Sequence, residues 1–389
     1  MSKIVEGLFA INKPPSISSA QAIRDLQRVF NTSALFAPWI EAERARRDVE
    51  SQRQRKRRRD KRIQVKIGHG GTLDPMATGV LIMGVGKGTK RLQNFLECTK
   101  TYEATVLFGA ATDSYDTKGK LLRRAPCEHV TRAKVEEALK RFRGKIMQRP
   151  PIYSALRMDG KRLYEYAREG KEVPREIEER PVEVKELEVL EWLNAGAHEY
   201  SLPEEEAEIE AIYLAEKVLH LGDSPDVPGK EEMGASDREI QPSPRAKRKR
   251  SLDDVEDEVV TNKRPTLSQE ATDPSTLMSG ALPANGNEES PESHPLKSSP
   301  EVKAKDPSFV PAVRLRMNVT SGFYVRSLAH DLGEAVGSLA CMCALVRTRQ
   351  GDYDLGKNVL EYGDIEKDES VWSPRVEALI EASQHSIES

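Results

Sequence analysis

A long polar stretch in the second half of the chain constrains its fold most strongly. From about Asn194 to Pro307 the sequence is rich in proline, serine, glutamate and asparagine, with scarcely an aromatic residue. Such a segment cannot bury enough apolar surface to offset the entropy that ordering would cost. We therefore expect residues 194–308 to form a disordered, low-complexity insertion, and the sequences on either side of it to share one domain.

The remaining sequence divides around this insertion. Residues 1–193 are expected to form the first part of the domain, with a basic insertion at about 31–65, and residues 309–360 the last part. The C-terminal tail, 361–389, contains one short helix candidate, VEALIEA. With about 100–200 residues per domain, a chain of 389 residues can hold this arrangement.

The apolar periodicity between these polar segments predicts an α/β domain. Strands are indicated at 7–13, 100–111, 181–193 and 313–319, and helices at 18–30, 129–145, 162–168 and 325–336. The helix at 18–30 has Ser18 or Ser19 as its N-cap, since either serine directly precedes the helical apolar spacing.

Charge is distributed unevenly along the chain. The net charge is −3, but Arg53–Arg62 alone holds eight lysines and arginines. Three interpretations of this run remain open: contact with nucleic-acid phosphates, a nuclear import signal and a solvated surface insertion. Two further clusters, PRAKRKR (244–250) and NKRP (262–265), fit either a bipartite import signal or a random basic patch.

The composition favours a soluble intracellular protein. The four cysteines, at 98, 127, 341 and 343, are too scattered for a disulfide framework and match no zinc-site spacing. No window approaches the roughly 18 apolar residues that a membrane span needs, and the first residues lack the apolar core of a signal peptide. We expect no membrane partner.

The stretch from Lys66 to Leu96 contains the best candidate for a reactive group. Asp74 lies between a glycine-dense segment, GHGG, and Pro75. Glycine permits a positive φ and close approach of a ligand, while a proline biases the residue before it toward an extended conformation. Two interpretations stay open at this point: a tight turn with an Asx cap, and a carboxylate held for reaction.

Other kinds of site fit the sequence less well. Gly79 and Gly84 have the spacing of a phosphate-binding loop, but Val85 stands where the lysine should be. Asp113 and Asp116, three residues apart in a turn, more often cap backbone amides than bind a metal. No histidine–cysteine cluster and no Gly-x-Ser-x-Gly elbow is present.

Tyrosines interleaved with basic residues suit binding to single-stranded RNA. Stacking of a base on an aromatic ring stabilises a complex by about 1–3 kcal/mol, while arginine and lysine hold the phosphates. The candidates are Tyr102, Tyr153, Tyr164 and Tyr324. For any single one of them, a half-buried core residue is the favoured explanation.

The sequence GHGGTLDPMATGVLIMGVGKGTK resembles the signature of the TruB family of pseudouridine synthases. Five further blocks follow the order of the family: INKP, KTYEATVLFGAATDSYDTKGK, QRPPIYSALRMDGKRLYEYAREG, SGFYVRSLAHDLG and GSLACMCALVRTRQGDYDL. The resemblance implies the pseudouridine synthase fold, an α/β (α+β) domain with a mixed, mostly antiparallel central sheet, flanking helices and a catalytic cleft.

The resemblance also implies an activity. Family members isomerise uridine 55 in the T-loop of tRNA: the uracil detaches, rotates and rejoins the sugar through C5, without a cofactor or a metal. We therefore expect a monomer that binds the tRNA T-stem-loop, with messenger RNA as a further candidate substrate and no protein partner. The nucleus, cytoplasm and mitochondrion are the candidate compartments. The alternative is a noncatalytic RNA-binding or tRNA-folding protein that retains the fold.

Three residues match the chemical centre of the family. Asp74 matches the essential aspartate, which attacks the sugar or promotes loss of the base. Tyr102 matches the tyrosine that stacks on the target base and assists removal of the C5 proton. Arg326 matches the arginine that pairs with the catalytic carboxylate. A binding-only descendant would have no chemical need for all three.

Other matched positions are expected around this centre. His69 matches a histidine that contacts the flipped nucleotide, Leu328 lies at a pocket-wall position, and Tyr324 lies near the RNA. Lys13 belongs to the N-terminal Lys-Pro block and is expected to have a structural or RNA-positioning role.

The chain departs from the family pattern in its first block. The family sequence K-P-x-G-x-T-S appears as KPPSISS, with Ser16 at the glycine and Ser18 at the threonine, which leaves the geometry of that loop open. The two insertions are similar to those of eukaryotic, particularly fungal, members. The sequence after Asp352 is expected to be too short for an accessory RNA-binding PUA domain.

Overall fold

The computed structural model describes residues 3–57, 62–208 and 310–385, and these residues belong to one compact unit. Most of the predicted insertion, the basic clusters at 244–250 and 262–265, and residues 58–61 of the basic run lie outside the described residues. None of the described helices is both long enough and apolar enough to cross a membrane.

The strands of the described chain vary from two to fourteen residues in length. They are β1 (Gly7–Lys13), β2 (Ile67–His69), β3 (Thr78–Val85), β4 (Lys100–Phe108), β5 (Ala110–Thr112), β6 (Leu121–Arg124), β7 (Gly144–Gln148), β8 (Arg157–Met158), β9 (Lys161–Arg162), β10 (Arg180–Leu193), β11 (Ala312–Val319), β12 (Ala340–Gln350), β13 (Tyr353–Asp354) and β14 (Leu360–Glu361).

Helices connect and cover these strands. They are α1 (Ser19–Phe30), α2 (Ala37–Asp48), α3 (Gln52–Arg57), α4 (Leu92–Glu97), α5 (Arg132–Leu139), α6 (Leu163–Arg168), α7 (Val325–Ala335) and α8 (Glu369–His385), with 3-10 turns at Gly86–Arg91, Lys140–Phe142 and Tyr362–Glu366. The predicted helix at 129–145 is shorter than expected, because Gly144 begins strand β7 instead of ending the helix.

Ten strands form one sheet, in the order β14-β1-β3-β12-β4-β11-β10-β7, with β2 added to β3 and β13 to β12. The pairings of β1 with β14 and of β3 with β12 are parallel, and the others are antiparallel. The predicted α/β fold with a mixed, mostly antiparallel sheet and flanking helices is therefore confirmed.

The main core lies between one face of this sheet and helices α1, α5, α7 and α8. Strand β4 shows how the sequence selects the face, because Tyr102, Ala104 and Val106 belong to this core while Glu103 points to the opposite side.

In α1, Ser18 is the N-cap, and its hydroxyl accepts from the amide of Gln21 at 3.1 Å. The sequence prediction for this helix is confirmed.

The basic insertion expected at about 31–65, for which no helix was predicted, contains helices α2 and α3. Phe36, Trp39 and Ile40 are buried in the main core, and Phe36 stacks on Phe30 at 4.4 Å between ring centroids. A single turn of apolar side chains therefore holds a helix whose other positions are mostly polar. A pattern search over a longer window misses so short an apolar stripe.

Two other predicted boundaries are also corrected. The tail contains the 17-residue helix α8, longer than the short helix expected, and its Trp372, Val376 and Ile380 are buried in the main core. Residues 194–208, expected to begin the disordered insertion, pack on the domain instead. Within them Leu202 is buried, and the amide of Ala207 donates to the carbonyl of Leu121 at 2.9 Å. Sparse apolar residues attach both segments, so composition alone understates their order.

Candidate active site

Asp74 lies in the loop between β2 and β3, and neighbouring side chains hold the main chain on both sides of it. The hydroxyl of Ser19 accepts from the amide of Leu73 at 2.9 Å. On the other side, the carbonyl of Pro75 accepts from the amide of Ser16 at 2.9 Å and from Nζ of Lys13 at 3.1 Å. The loop position of Asp74 is thus fixed by residues of the N-terminal block.

Ser16 adopts the left-handed conformation, with φ of 69°. This is the conformation that a glycine tolerates best, and Ser16 stands where the family pattern has glycine. The serine therefore adopts a conformation that favours glycine, at some cost in strain, and its amide donates to the Pro75 carbonyl.

The glycine end of the loop is held from strand β12. The guanidinium of Arg347 donates to the carbonyl of Val80 at 2.6 Å and to that of Gly71 at 3.1 Å. The side-chain amide of Gln350 donates to the carbonyl of Gly70. Both side chains are essentially inaccessible to solvent. Both residues lie in the block LVRTRQG, where no sequence pattern indicated a role for either.

Lys13 has the structural role that the sequence allowed. Its side chain is fully buried, and Nζ donates to the carbonyls of Pro14, Ile17 and Pro75 at 2.7, 2.8 and 3.1 Å. Burial lowers the pKa of this ammonium group to about 8, against the attraction of Asp74, which raises it.

The carboxylate of Asp74 is bound by Arg326. Nε of Arg326 donates to Oδ2 at 2.8 Å, and Nη2 donates to Oδ1 at 3.1 Å. This two-pronged contact fixes the orientation of a carboxylate more strictly than a single bond. The Arg326 side chain is 7% exposed and that of Asp74 is 32% exposed, so the carboxylate remains open to a ligand on one side. Of the two interpretations left open by the sequence, the structure favours the held carboxylate over the Asx cap.

Arg326 also joins Asp74 to other segments of the chain. Its Nη1 and Nη2 donate at 2.8 Å to the carbonyls of Ser114 and Tyr153. The carboxylate of Asp116 lies 3.8 Å from Nε and is buried. Burial raises the pKa of Asp116, while Arg326 lowers it. Asp116 does accept from the amide of Lys118 at 2.9 Å, as predicted for a turn cap, but its second neighbour, Arg326, was not predicted.

Tyr102 lies near this loop. It is directly opposite Arg347 in the pairing of β4 with β12, and it is 9% exposed. Because directly opposed residues share a face of a sheet, Tyr102 is on the same side as the guanidinium that binds Gly71. Tyr102 is thus both a core residue and a neighbour of the candidate site.

The other matched residues flank these elements. His69 ends β2, five residues before Asp74, and is half-buried. Tyr324 is the half-buried residue before α7, and Leu328 is buried in the same core as Tyr102. The structure thus brings Asp74 and Arg326 into direct contact and places the other matched residues on the neighbouring elements. The roles of those others in binding stay predictions.

Within the described ranges, one group of side chains has the chemistry and spacing of metal ligands. His330, Asp331 and Glu334 on α7 offer ligand atoms within 4.8 Å of one another. The group lies beyond Arg326 along the helix and includes neither Asp74 nor its partners.

Known proteins resemble this chain to different extents. A solved structure, the crystal structure of a Cbf5–Nop10–Gar1 complex, matches 96% of this chain and 59% of its own with a TM-score of 0.44 and 17% identity. The profile of the TruB family pseudouridylate synthase N-terminal domain matches residues 56–205.

Two fungal relatives match most of the chain, and a bacterial one matches a third of it. The tRNA pseudouridine synthase 4 of Schizosaccharomyces pombe is 39% identical over 352 residues, covering 90% of this chain and 79% of that protein. The protein of the same name from Saccharomyces cerevisiae is 34% identical over 388 residues, covering 97% of this chain and 85% of that protein. The tRNA pseudouridine synthase B of the bacterium Phocaeicola vulgatus is 48% identical over 128 residues, covering 33% and 54%. The extent of the two fungal matches confirms the resemblance seen in the sequence: the chain belongs to the TruB family of pseudouridine synthases.

Proposed function

We propose that this protein is a tRNA pseudouridine synthase that isomerises uridine 55 in the T-loop. The fungal and bacterial relatives are named as tRNA pseudouridine synthases, which supports the substrate class. The observation that carries the proposal is the two-pronged contact of buried Arg326 with the partly open carboxylate of Asp74. A binding-only protein would have no chemical need for a partly open carboxylate held in this way.

The reaction needs no oxidant or reductant. The bond between N1 of uracil and C1′ of ribose breaks, a bond between C5 and C1′ forms, C5 loses a proton, and N1 gains one. Asp74 attacks the sugar or promotes loss of the base, and Arg326 keeps its carboxylate oriented. A carboxylate held in one geometry loses less entropy on reaching the transition state, which is the usual advantage of a positioned group.

The target base must leave the folded loop to reach Asp74. Extrusion costs a few kcal/mol, and contacts with the flipped nucleotide must offset that cost. Tyr102 stacks on the base and assists removal of the C5 proton in this proposal. His69, Tyr324 and Leu328 line the path of the nucleotide and its pocket.

Asp74→Asn tests the proposal. The amide keeps the shape of the side chain but cannot supply the carboxylate, so we expect no pseudouridine in a T-stem-loop transcript, with RNA affinity changed by no more than about threefold, since binding relies on other contacts. Pseudouridine is measured by mass spectrometry and affinity by filter binding. Turnover by the variant at the wild-type rate would refute the mechanism. A wild-type protein that binds the stem-loop without modifying it would instead support the noncatalytic alternative.

We propose that the basic run at 53–62 contacts tRNA phosphates. Its described part includes α3, whose side chains at 52–56 are exposed to solvent. Neutralising phosphates releases counterions, so deletion of 53–62 should weaken tRNA binding and flatten its dependence on salt. The measurement is a salt titration of affinity for wild-type and deleted protein. Unchanged binding would leave only the import-signal and solvated-surface interpretations.

We further propose that the protein acts as a monomer, that some messenger RNAs are also substrates, and that it works in the nucleus and the cytoplasm, with the mitochondrion as a third compartment. Light scattering of the purified protein tests the first point. Mapping pseudouridine in RNA from cells with and without the protein tests the second, and fluorescent tagging tests the third.

A further inference from the structure

The side chain of Gln148 joins the end of β7 to the start of α7. It is the last residue of β7 and is 3% exposed. Its Nε2 donates to the carbonyl of Tyr324 at 3.0 Å, and its Oε1 accepts from the amide of the same residue at 2.8 Å. One buried amide therefore pairs with both polar groups of the main chain of Tyr324, much as a neighbouring strand would.

Two further contacts connect the same segments. The hydroxyl of Ser327 donates to the carbonyl of Arg149 at 2.8 Å, and Nη2 of Arg326 donates to the carbonyl of Tyr153 at 2.8 Å. Four hydrogen bonds thus link 148–153 to 324–327. The first turn of α7 is attached to the segment after β7 by main-chain and side-chain contacts together.

This attachment matters because of what the first turn of α7 carries. Tyr324 is the N-cap of α7 and makes no side-chain capping bond. A helix start without such a bond leaves amides unsatisfied and frays more easily. Arg326 lies two residues later and must reach Asp74 with a long side chain of many rotamers, so a small shift of its backbone moves the guanidinium off the carboxylate.

We propose that Gln148 is a positioning residue for the reaction, which holds the main chain of Tyr324 so that Arg326 meets Asp74. This inference rests on the proposed function. The two hydrogen bonds of the Gln148 side chain go to the main chain of Tyr324, whereas the guanidinium of Arg326 and the carboxylate of Asp74 bind each other. Gln148 therefore acts through the backbone of the helix start.

Gln148→Met removes both hydrogen bonds with little change of shape. We expect the single-turnover rate on the T-stem-loop, at saturating enzyme, to fall about 10- to 100-fold, as misplacement of a catalytic group does. RNA affinity should stay within about twofold, because a residue so deeply buried does not face the RNA. Gln148→Asn keeps an amide but shortens it by one methylene, so that it cannot make both hydrogen bonds, and its rate should also fall. This variant decides the point if Gln148→Met fails to fold, and an Asn rate within twofold of wild type would then overturn the assignment.

Ser338→Ala is the matched control. Ser338 is buried just after the other end of α7, and its hydroxyl donates to the carbonyl of Pro126 at 2.8 Å. Its removal deletes a buried hydrogen bond near the same helix without touching the first turn. Thermal melting should show a loss of stability in both variants, but the rate should fall only in Gln148→Met.

Two results would overturn the assignment: a Gln148→Met rate within twofold of wild type, or an equal fall of the rate in Ser338→Ala at the same loss of melting temperature. Failure of the proposed function has a different signature. In that case the wild-type protein itself forms no pseudouridine, and the reaction that Gln148 is said to serve is refuted with it.

Discussion

The two faces of the central sheet use charged residues in opposite ways. On the helix-covered face, Arg326, Arg347 and Lys13 are buried, and each donates to carbonyl or carboxylate oxygens at or near the Asp74 loop. On the other face, Glu103 pairs with Arg314 and Arg316 at 2.6 and 3.0 Å. Those two arginine side chains are 47% and 46% exposed.

The difference follows from what water does on each face. A buried ion costs several kcal/mol of lost hydration unless oxygens replace the water, so a buried cation must be closely matched by its surroundings. An exposed pair keeps most of its hydration, and water and salt screen its attraction. The buried cations therefore fix geometry around Asp74, while the exposed pairs contribute little to the stability of the sheet.

Replacing one arginine by methionine on each face should give the largest difference in stability and turnover between the two faces. Arg326→Met leaves Asp74 and Asp116 without their cation, so we expect loss of measurable turnover and a decrease of about 3–5 kcal/mol in the free energy of unfolding. Arg316→Met is the control on the face opposite to the helix-covered one. It should change the free energy of unfolding by less than about 1 kcal/mol and leave turnover intact. Urea denaturation and single-turnover assays measure both. Similar losses in the two variants would show that burial does not distinguish the faces.

The pH dependence of the free energy of unfolding should test whether Lys13, on the helix-covered face, is desolvated. Its pKa is lowered to about 8 in the folded protein from 10.5. Between these values the unfolded chain binds more protons than the folded one, so this lysine makes stability rise with pH. The free energy of unfolding of wild type, relative to Lys13→Met, should increase by roughly 2 kcal/mol from pH 7 to pH 9.5. Denaturation across that range measures it, and a flat difference would mean that the lysine is not desolvated.

The smallest loss of stability is expected for a substitution of Glu103, on the sheet face where Arg314 and Arg316 are exposed. The pKa of Glu103 is lowered mainly by its hydrogen bond with Arg314, so the group supports folding above its unfolded pKa and loses that contribution as pH falls through the folded value. Glu103→Gln should therefore decrease the free energy of unfolding by at most about 1 kcal/mol at pH 7 and by less at pH 3. Turnover should not change. A larger loss, or slower catalysis, would show that the two faces are coupled.

Much of the fold could be predicted because its signals are local. Residues 7–13, 19–30 and 100–108 follow apolar spacing or capping patterns, and each forms the element that its pattern predicts. Helices α2 and α8 could not be predicted in the same way. Their burial depends on contacts between distant segments: Phe30 stacks on Phe36 and on Trp372, which lies near the other end of the described chain.

The candidate site shows the same division. The glycines, Pro75 and Asp74 were recognisable together because they are neighbours in sequence. Arg347 and Gln350 were not, since an arginine and a glutamine in a polar-looking strand give no sign that they are buried and bonded to Gly70 and Gly71. Gln148 was missed for the same reason.

The sequence by itself determined the family, the candidate carboxylate and most strands and helices, because short-range spacing and residue type encode these. The pairing of Asp74 with Arg326 was expected from the resemblance, but only the tertiary structure decided which groups hold the loop that carries Asp74. Arg347 and Gly71 are 276 positions apart in the chain, and their contact exists only when β3 and β12 are assembled. Hydrogen bonds require atoms within about 3 Å, and no local pattern fixes that distance across so long a separation.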